Sequence, residues 1–453
     1  DCDHFFKNSV LKDLRGIEGP QITSERRLAQ AKEQIARYVE SKEGEDEDIQ
    51  ECWLRELYEK TVTQLRFNLY EVDSAADVGV IFETMNNRGK QLSELEKVKN
   101  FLLYASTSLN VRNDLAGTVN SAWAEILKQL MAADLVSSQD EDRLLRAHWL
   151  TQYDPQPRRW GGSKSVKERF DLKKFRDDHP ALLDQLHQYA EGLRASCIGF
   201  CEAYNPERPD AFKCYSGNPR PRSQVIEWSA KIRRVGVVAT FLPLLLAIRH
   251  QWPDSPDRYL VMLRLCEAYA FRVYRLKGAR ADAGQSTLFF AGHSLFHGTA
   301  SFEEVCRAIK EELQRRCNAA EFKSHWEQGP DDWYEWKGLK YFLYEYEIHL
   351  ASAHGASPLV GWTDVRKQDL QDTIEHVLPQ TIDNVPYWRD RFRPRPHRKY
   401  VHDLRNLSLT KHNSHYSNKP FPQKKGSLAG TSPCYATSPF YMERELATWE
   451  EWD

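Results

Sequence analysis

Apolar residues recur at spacings of three and four along most of the chain, the period of a helix with one buried face. Arg26 to Val39, Cys52 to Leu65, Ala122 to Leu130, Leu182 to Tyr204, Val225 to His250 and Tyr259 to Tyr274 all follow it. Leu339 to Ala353 adds a stripe of Tyr341, Phe342, Tyr344 and Tyr346, and aromatics at that spacing predict core packing rather than a base-stacking platform. Strand patterns are short: Arg66 to Val72, and the residues around Ile374 and Leu407. The expected fold class is mainly α, with helical N-terminal and middle regions followed by a small α+β domain. Gly355 and Pro358 break the pattern after the aromatic helix, so the expected parts are residues 1–108, 109–358 and 359–453.

Punctuation between helices is specific in one place. Asn87-Arg88-Gly89 is a helix stop, and Ser93 with Glu96 three residues later is a capping box that restarts the chain as a helix. Two further loops, Asp154 to Val166 and Tyr215 to Arg222, mix arginines with aromatic and flexible residues (Arg158, Arg159, Trp160; Arg220, Arg222). Such loops contact phosphates in some proteins, although a plain surface loop is the simpler account. The acidic run around Glu43 to Asp48 reads as a solvated loop.

Across 453 residues, 63 Lys+Arg stand against 65 Asp+Glu, a formal net charge of -2, which excludes a protein that coats DNA uniformly. The average hides an asymmetry. Between Val385 and Lys425 there are eleven basic and two acidic residues, a local charge of +9 that leaves -11 for the remainder. Backbone phosphates would be drawn to that segment, with binding that weakens as salt rises. The longest apolar run, Val235 to Ile248, holds Gly236 and Pro243 and falls short of the roughly 20 residues that a spanning helix needs. Nine cysteines without paired CxxC modules suit small core residues in a reducing cytoplasm. Asp1, Asp3 and His4 stand where the basic region of a signal sequence would be, and the chain is expected to begin inside a longer protein.

Candidate chemistry concentrates in Asp372 to Lys425. Thr373-Ile374-Glu375-His376-Val377-Leu378-Pro379-Gln380 is a short strand ending in an adjacent carboxylate and imidazole, stopped by proline. His402-Asp403-Leu404-Arg405-Asn406-Leu407-Ser408-Leu409-Thr410 follows, then Asn413-Ser414-His415-Tyr416-Ser417-Asn418-Lys419-Pro420-Phe421 and Lys424-Lys425. Phosphodiester hydrolysis needs a base to activate water, a hard cation on the phosphate, and a group that orients the base. His376 suits the first role and Glu375 the second. Because neighbours on a strand point to opposite faces, one pair can fill both roles only where the strand ends, at Pro379. The Asn406 amide can orient the imidazole, and an oxygen of Asn413 can complete a mainly water-filled Mg²⁺ shell.

These strings resemble the HNH (His-Me finger) nuclease domain at the C-terminus of GmrSD-like, modification-dependent restriction enzymes. Ile81-Phe82-Glu83, Asn86, Arg88-Gly89 and Leu92-Ser93, with Lys97 or Lys99, are similar to the closing part of that family's N-terminal domain. Phosphorothioate-sensing SspE-type effectors share the layout. The resemblance implies His376 as general base, Glu375 as metal ligand, Asn406 as the residue positioning His376, and Asn413 as the second metal-side residue, with His415, nine positions after Asn406, as the alternative. It also implies phosphate contacts from His402, Arg405, Lys411, Lys419 and Lys424, and sensor-domain roles for Asn86, Arg88 and Gly89. Arg405 stands where the family usually has Gly, and the family's Asp-Gly-Gln-Gln-Arg string is absent from this sequence.

The implied activity is a Mg²⁺- or Mn²⁺-dependent DNA endonuclease or nickase of bacterial anti-phage defence, acting on phage or modified DNA. Coupling to an NTP such as GTP would belong to the full-length protein, and a homo-oligomer would supply two cutting sites. The rival class is a DNA-binding, NTP-responsive modification sensor whose nuclease motif is inactive. An RNA-directed nuclease is the third reading.

Overall fold

Among the described residues, 70% of the fold is helical and the one sheet is a two-stranded antiparallel pair, so the mainly α expectation holds. The computed structural model describes residues 3–12, 19–42, 47–66, 92–109, 114–175, 178–217, 219–329, 332–392, 394–430 and 432–452. Asn86, Arg88 and Gly89, and most of the strand expected at Arg66 to Val72, lie outside them.

The expected capping box is formed. Ser93 Oγ accepts from the Glu96 amide at 3.1 Å and Glu96 Oε2 accepts from the Ser93 amide at 2.7 Å, opening helix α1 (Glu94–Ser108). Helices α2 (Leu115–Ala132), α3 (Ser138–Gln152) and α4 (His179–Tyr204) follow. The periodic stretch Val225 to His250 is two helices, α5 (Pro219–Val235) and α6 (Val238–Gln251), because Gly236 turns the chain at φ +83°, a conformation that other residues avoid. Glu47 and Asp48, expected in the acidic loop, open the helix Glu47–Glu59. Helix α7 occupies Leu339–Ala353, with Tyr341 and Tyr344 in the core as their spacing predicts, and Tyr346 exposed.

The chain clusters into two compact units. One comprises 1–227, 239–260 and 286–305; the other comprises 228–238, 261–285 and 306–453. In the first unit α2, α3 and α4 bury Trp123, Ile126, Leu186, Leu193 and Phe200. The second unit holds two apolar clusters. Ile374, Leu407 and Leu409 pack with Leu343 and Tyr344 of α7 and with Phe440 and Met442. Val377 and Leu378 pack with Trp388, Tyr416, Phe421 and Tyr435. The chain passes from one cluster to the other at Glu375-His376. No helix among the described residues is long and apolar enough to cross a membrane. Cys197 and Cys201, four apart on α4, are buried free thiols with sulfurs 3.9 Å apart.

Candidate active site

Strand β1 (Ile374–His376) pairs antiparallel with β2 (Leu407–Leu409) in the register Ile374 to Leu409, Glu375 to Ser408 and His376 to Leu407. The Val377 amide adds one bond to Asn406 O at 3.0 Å before Pro379 ends the pairing. Two short helical turns, Asn413–Tyr416 and Phe421–Lys425, come after β2. Gly426 closes the second at φ +62°, and a Cβ there would sit 2.4 Å from the Cβ of Cys434. That turn aims Lys424 inward.

Side chains alternate along β1, and the two faces differ completely. On one face Glu375 is 1% exposed. Its Oε1 accepts from Lys424 Nζ at 2.7 Å and from the Tyr435 hydroxyl at 2.7 Å. Lys424 is fully buried and also donates to the backbone oxygens of His376 (2.9 Å) and Val377 (3.2 Å). One ammonium therefore clamps the strand on both sides of the His376 peptide. Burial pushes the Glu375 carboxyl up and the Lys424 ammonium down, and each partly offsets the other's shift. Below them Glu443, fully buried, accepts from the Ser438 hydroxyl and from Tyr416 OH (3.4 Å). Burial pushes its pKa up to about 8, so it is largely neutral at pH 7.

On the opposite face, His376 Nε2 lies 3.2 Å from His402 Nδ1 and 3.5 Å from the Gln380 amide nitrogen. Tyr334 covers the imidazole with ring centroids 4.7 Å apart. His402 Nδ1 is also 3.8 Å from Asp332 Oδ1, and the Trp333 amide donates to His402 O at 3.1 Å. A carboxylate beside His402 Nδ1 favours a proton on that nitrogen, which leaves His376 Nε2 as the acceptor. His376 is held neutral, its pKa lowered to about 3 by burial, then by His402 and Lys424. It is an unprotonated imidazole in a polar recess.

The remaining expected residues separate by role. Asn406 is buried and grips backbone rather than the imidazole: its Oδ1 accepts from the Leu378 amide at 2.6 Å, and its Nδ2 donates to Leu378 O (2.9 Å) and Val401 O (2.8 Å). It thus holds the turn that follows His376. The Asn413 amide donates to Gln371 O, and His415 Nε2 faces Lys419 Nζ at 3.1 Å. Neither meets Glu375, and among the described residues no three His, Cys, Asp or Glu side chains gather to hold a metal ion. Arg405 is solvent-exposed and forks onto Asp403 (2.8 and 2.9 Å), and Lys411 is exposed. Lys424, expected at a phosphate, has no surface to offer one.

Asp332, Tyr334 and Tyr435 were not anticipated. Tyr334 and Asp332 lie more than a helix upstream of β1, in a Trp-rich turn with no motif of its own, and only the folded chain brings them to His376. Gln380 follows Pro379 directly, and its polar side chain at a strand end was a usable signal.

Residues 314–453 match the family model for the C-terminal domain of GmrSD restriction endonucleases. The C-terminal third of the chain is thus similar to the GmrSD C-terminal domain. No match was found among curated proteins. The GmrSD domain starts well before residue 359 and takes in Asp332 and Tyr334, so the residues that cover His376 belong to the same domain as His376 itself. It lies wholly within the second compact unit.

Proposed function

We propose that the GmrSD domain is a DNA endonuclease of defence against foreign DNA that hydrolyses phosphodiester bonds with His376 as general base. The observation that carries this reading is the His376 imidazole, fixed at a strand end with its Nε2 beside His402 and Gln380. A water oxygen attacks phosphorus, its proton passes to His376 Nε2 as that nitrogen gives up its hydrogen bond from His402, and the bond from phosphorus to the sugar oxygen breaks, the leaving oxygen taking a proton from solvent. An approaching phosphodiester brings negative charge to the imidazole and raises its affinity for that proton. Asn406 and Lys424 act through the backbone on either side of His376. Arg389, Arg391, Arg398, Lys399, Arg405 and Lys411 are exposed cations suited to backbone phosphates. One such site cuts one strand, so nicks come first.

The expected cation site does not fit these residues. The Glu375 carboxylate is held by Lys424 and Tyr435, and Asn413 and His415 lie apart from it, so no step is routed through a metal at Glu375. The same engagement of Glu375 favours the alternative of a DNA-binding module without cleavage. Plasmid nicking by His376→Ala and His376→Gln decides between them. The nuclease reading expects relaxed plasmid from wild type and a loss of about 10² to 10⁴ in rate for both variants. DNA binding with no nicking by the wild type, with Mg²⁺ or Mn²⁺ supplied, favours the binding module.

A further inference from the structure

The second compact unit contains a pocket of about 730 Å³, inside the range of roughly 300–1,000 Å³ that small-ligand sites occupy. All of its walls come from within the GmrSD-like residues 314–453. The buried Leu343, Leu407 and Met442 give it an apolar floor, and Val377, Leu378 and Asn406 bring in the turn that follows His376. Tyr346 and Trp449 line it while keeping 39% and 52% of their surface exposed, and Trp452 lies 5.7 Å from Trp449, ring to ring. An apolar or aromatic body fits such walls, and its removal from water supplies the driving force for binding.

The polar groups of the pocket decide what else the ligand carries. Asn406 uses its Oδ1 and Nδ2 on backbone, and the buried Ser408 hydroxyl donates to Leu409 O at 3.3 Å. Tyr400 adds a neutral phenol. Both oxygens of Asp403 are held by the Arg405 guanidinium (2.8 and 2.9 Å), so those two charges offset each other. Glu445 differs. It is exposed, its Oε2 accepts a long bond from the Tyr346 hydroxyl at 3.3 Å, and among the described residues no lysine, arginine or histidine pairs with it. Arg444, its neighbour in the chain, turns instead to Ser438 O (2.6 Å) and the Tyr441 ring, and Lys425 donates to Trp449 O at 2.7 Å. Two carboxylates against one guanidinium leave the lining with a charge of -1. An anion would approach an uncompensated carboxylate, whereas a cation completes it, and the ring faces of Tyr346 and Trp449 attract the same charge.

We propose that this pocket binds a small organic amine with an apolar or aromatic body, its ammonium at Glu445 and its body against Leu343, Leu407 and Met442. The assignment is independent of the nuclease reading, and its test contains neither DNA nor metal. Isothermal titration calorimetry on the full chain at neutral pH compares probes that share a naphthalene body and differ in the charge of the tail: naphthylethylamine, naphthylethanol and naphthylacetate. The amine binds saturably, the alcohol more weakly and the carboxylate most weakly. Glu445→Gln, at an exposed position, brings the amine down to the level of the alcohol, a loss of about fivefold, the measure of one exposed ion pair. Trp449→Ala, also exposed, weakens amine and alcohol alike because it removes apolar wall rather than charge. The proposal is overturned if the amine shows no saturable binding, if naphthylacetate binds as tightly as the amine, if Glu445→Gln keeps the amine's advantage over the alcohol, or if Trp449→Ala binds every probe like the parent.

Discussion

Glu375 and His376 are neighbours in a strand of three residues, yet the pleat sends one into a buried ionic network and the other into a polar recess. The Glu375 side is closed: Lys424 and Tyr435 donate to Glu375, Tyr416 donates to Glu443, and all of them are buried. The His376 side keeps a neutral imidazole among groups that accept and donate, His402, Gln380 and Asp332 beyond. An adjacent carboxylate and imidazole therefore need not share a task. Here the carboxylate anchors the strand that presents the imidazole, and the anchor's ammonium reaches the backbone oxygen of His376 itself.

This contrast can be broken from either side. Lys424→Met leaves the Glu375 carboxylate buried with the Tyr435 hydroxyl but no cation beside it and should cost about 3–5 kcal/mol, read as a large fall in Tm. Replacing both partners with apolar residues, Glu375→Leu with Lys424→Met, should recover most of it; an equal loss in the double variant would mean that the pair is not the unit of stability. Asn406→Ala strands the Leu378 amide and two carbonyls and should cost about 3 kcal/mol by denaturant unfolding, with slower nicking because the turn after His376 loosens. Asn406→Asp, which keeps the acceptor, should lose less.

The two faces also differ in how they respond to pH. For His376, the folded pKa of about 3 lies below the ordinary 6.5, so its contribution is intact above pH 6.5 and is lost as pH falls toward 3. For Glu443, the folded value of about 8 lies above the ordinary 4.5, so its contribution is intact below pH 4.5 and is lost as pH rises through 8. These two slopes oppose each other between 4.5 and 6.5, where the buried His148, also lowered to about 3, adds to the acid-side loss. Above pH 6.5 the Glu443 slope should lower the melting temperature, and Glu443→Gln should flatten the fall; an unchanged alkaline limb would remove Glu443 as its source. The smallest effect is expected at the surface. Lys411→Ala should weaken DNA binding modestly and reduce the slope of log K against log salt by about one.

Much of this was legible locally. The Ser93 capping box, the bounds of α7 and the strand ended by Pro379 depend on residues a few positions apart, and the structure has them where their spacing predicts. The division into 1–108, 109–358 and 359–453 follows local punctuation, whereas 228–238 and 261–285 fold with the C-terminal residues through packing that no local pattern encodes. The role of Lys424 was hidden for the same reason. In sequence it is one of a basic series, and only the turn capped by Gly426 aims it at Glu375, 49 positions earlier. Tyr334 reaches His376 from the far side of α7, across a separation that periodicity does not bridge.

The central claim is that chemistry sits on the His376 face and stability on the Glu375 face. Plasmid nicking and thermal melting measured together on His376→Ala and on Glu375→Leu with Lys424→Met test it most directly. The account predicts that His376→Ala stays folded with a cooperative melt but no longer nicks, while the double variant nicks at a substantial fraction of the wild-type rate. Wild-type nicking by His376→Ala, or complete loss of nicking in a double variant that is folded, would contradict it.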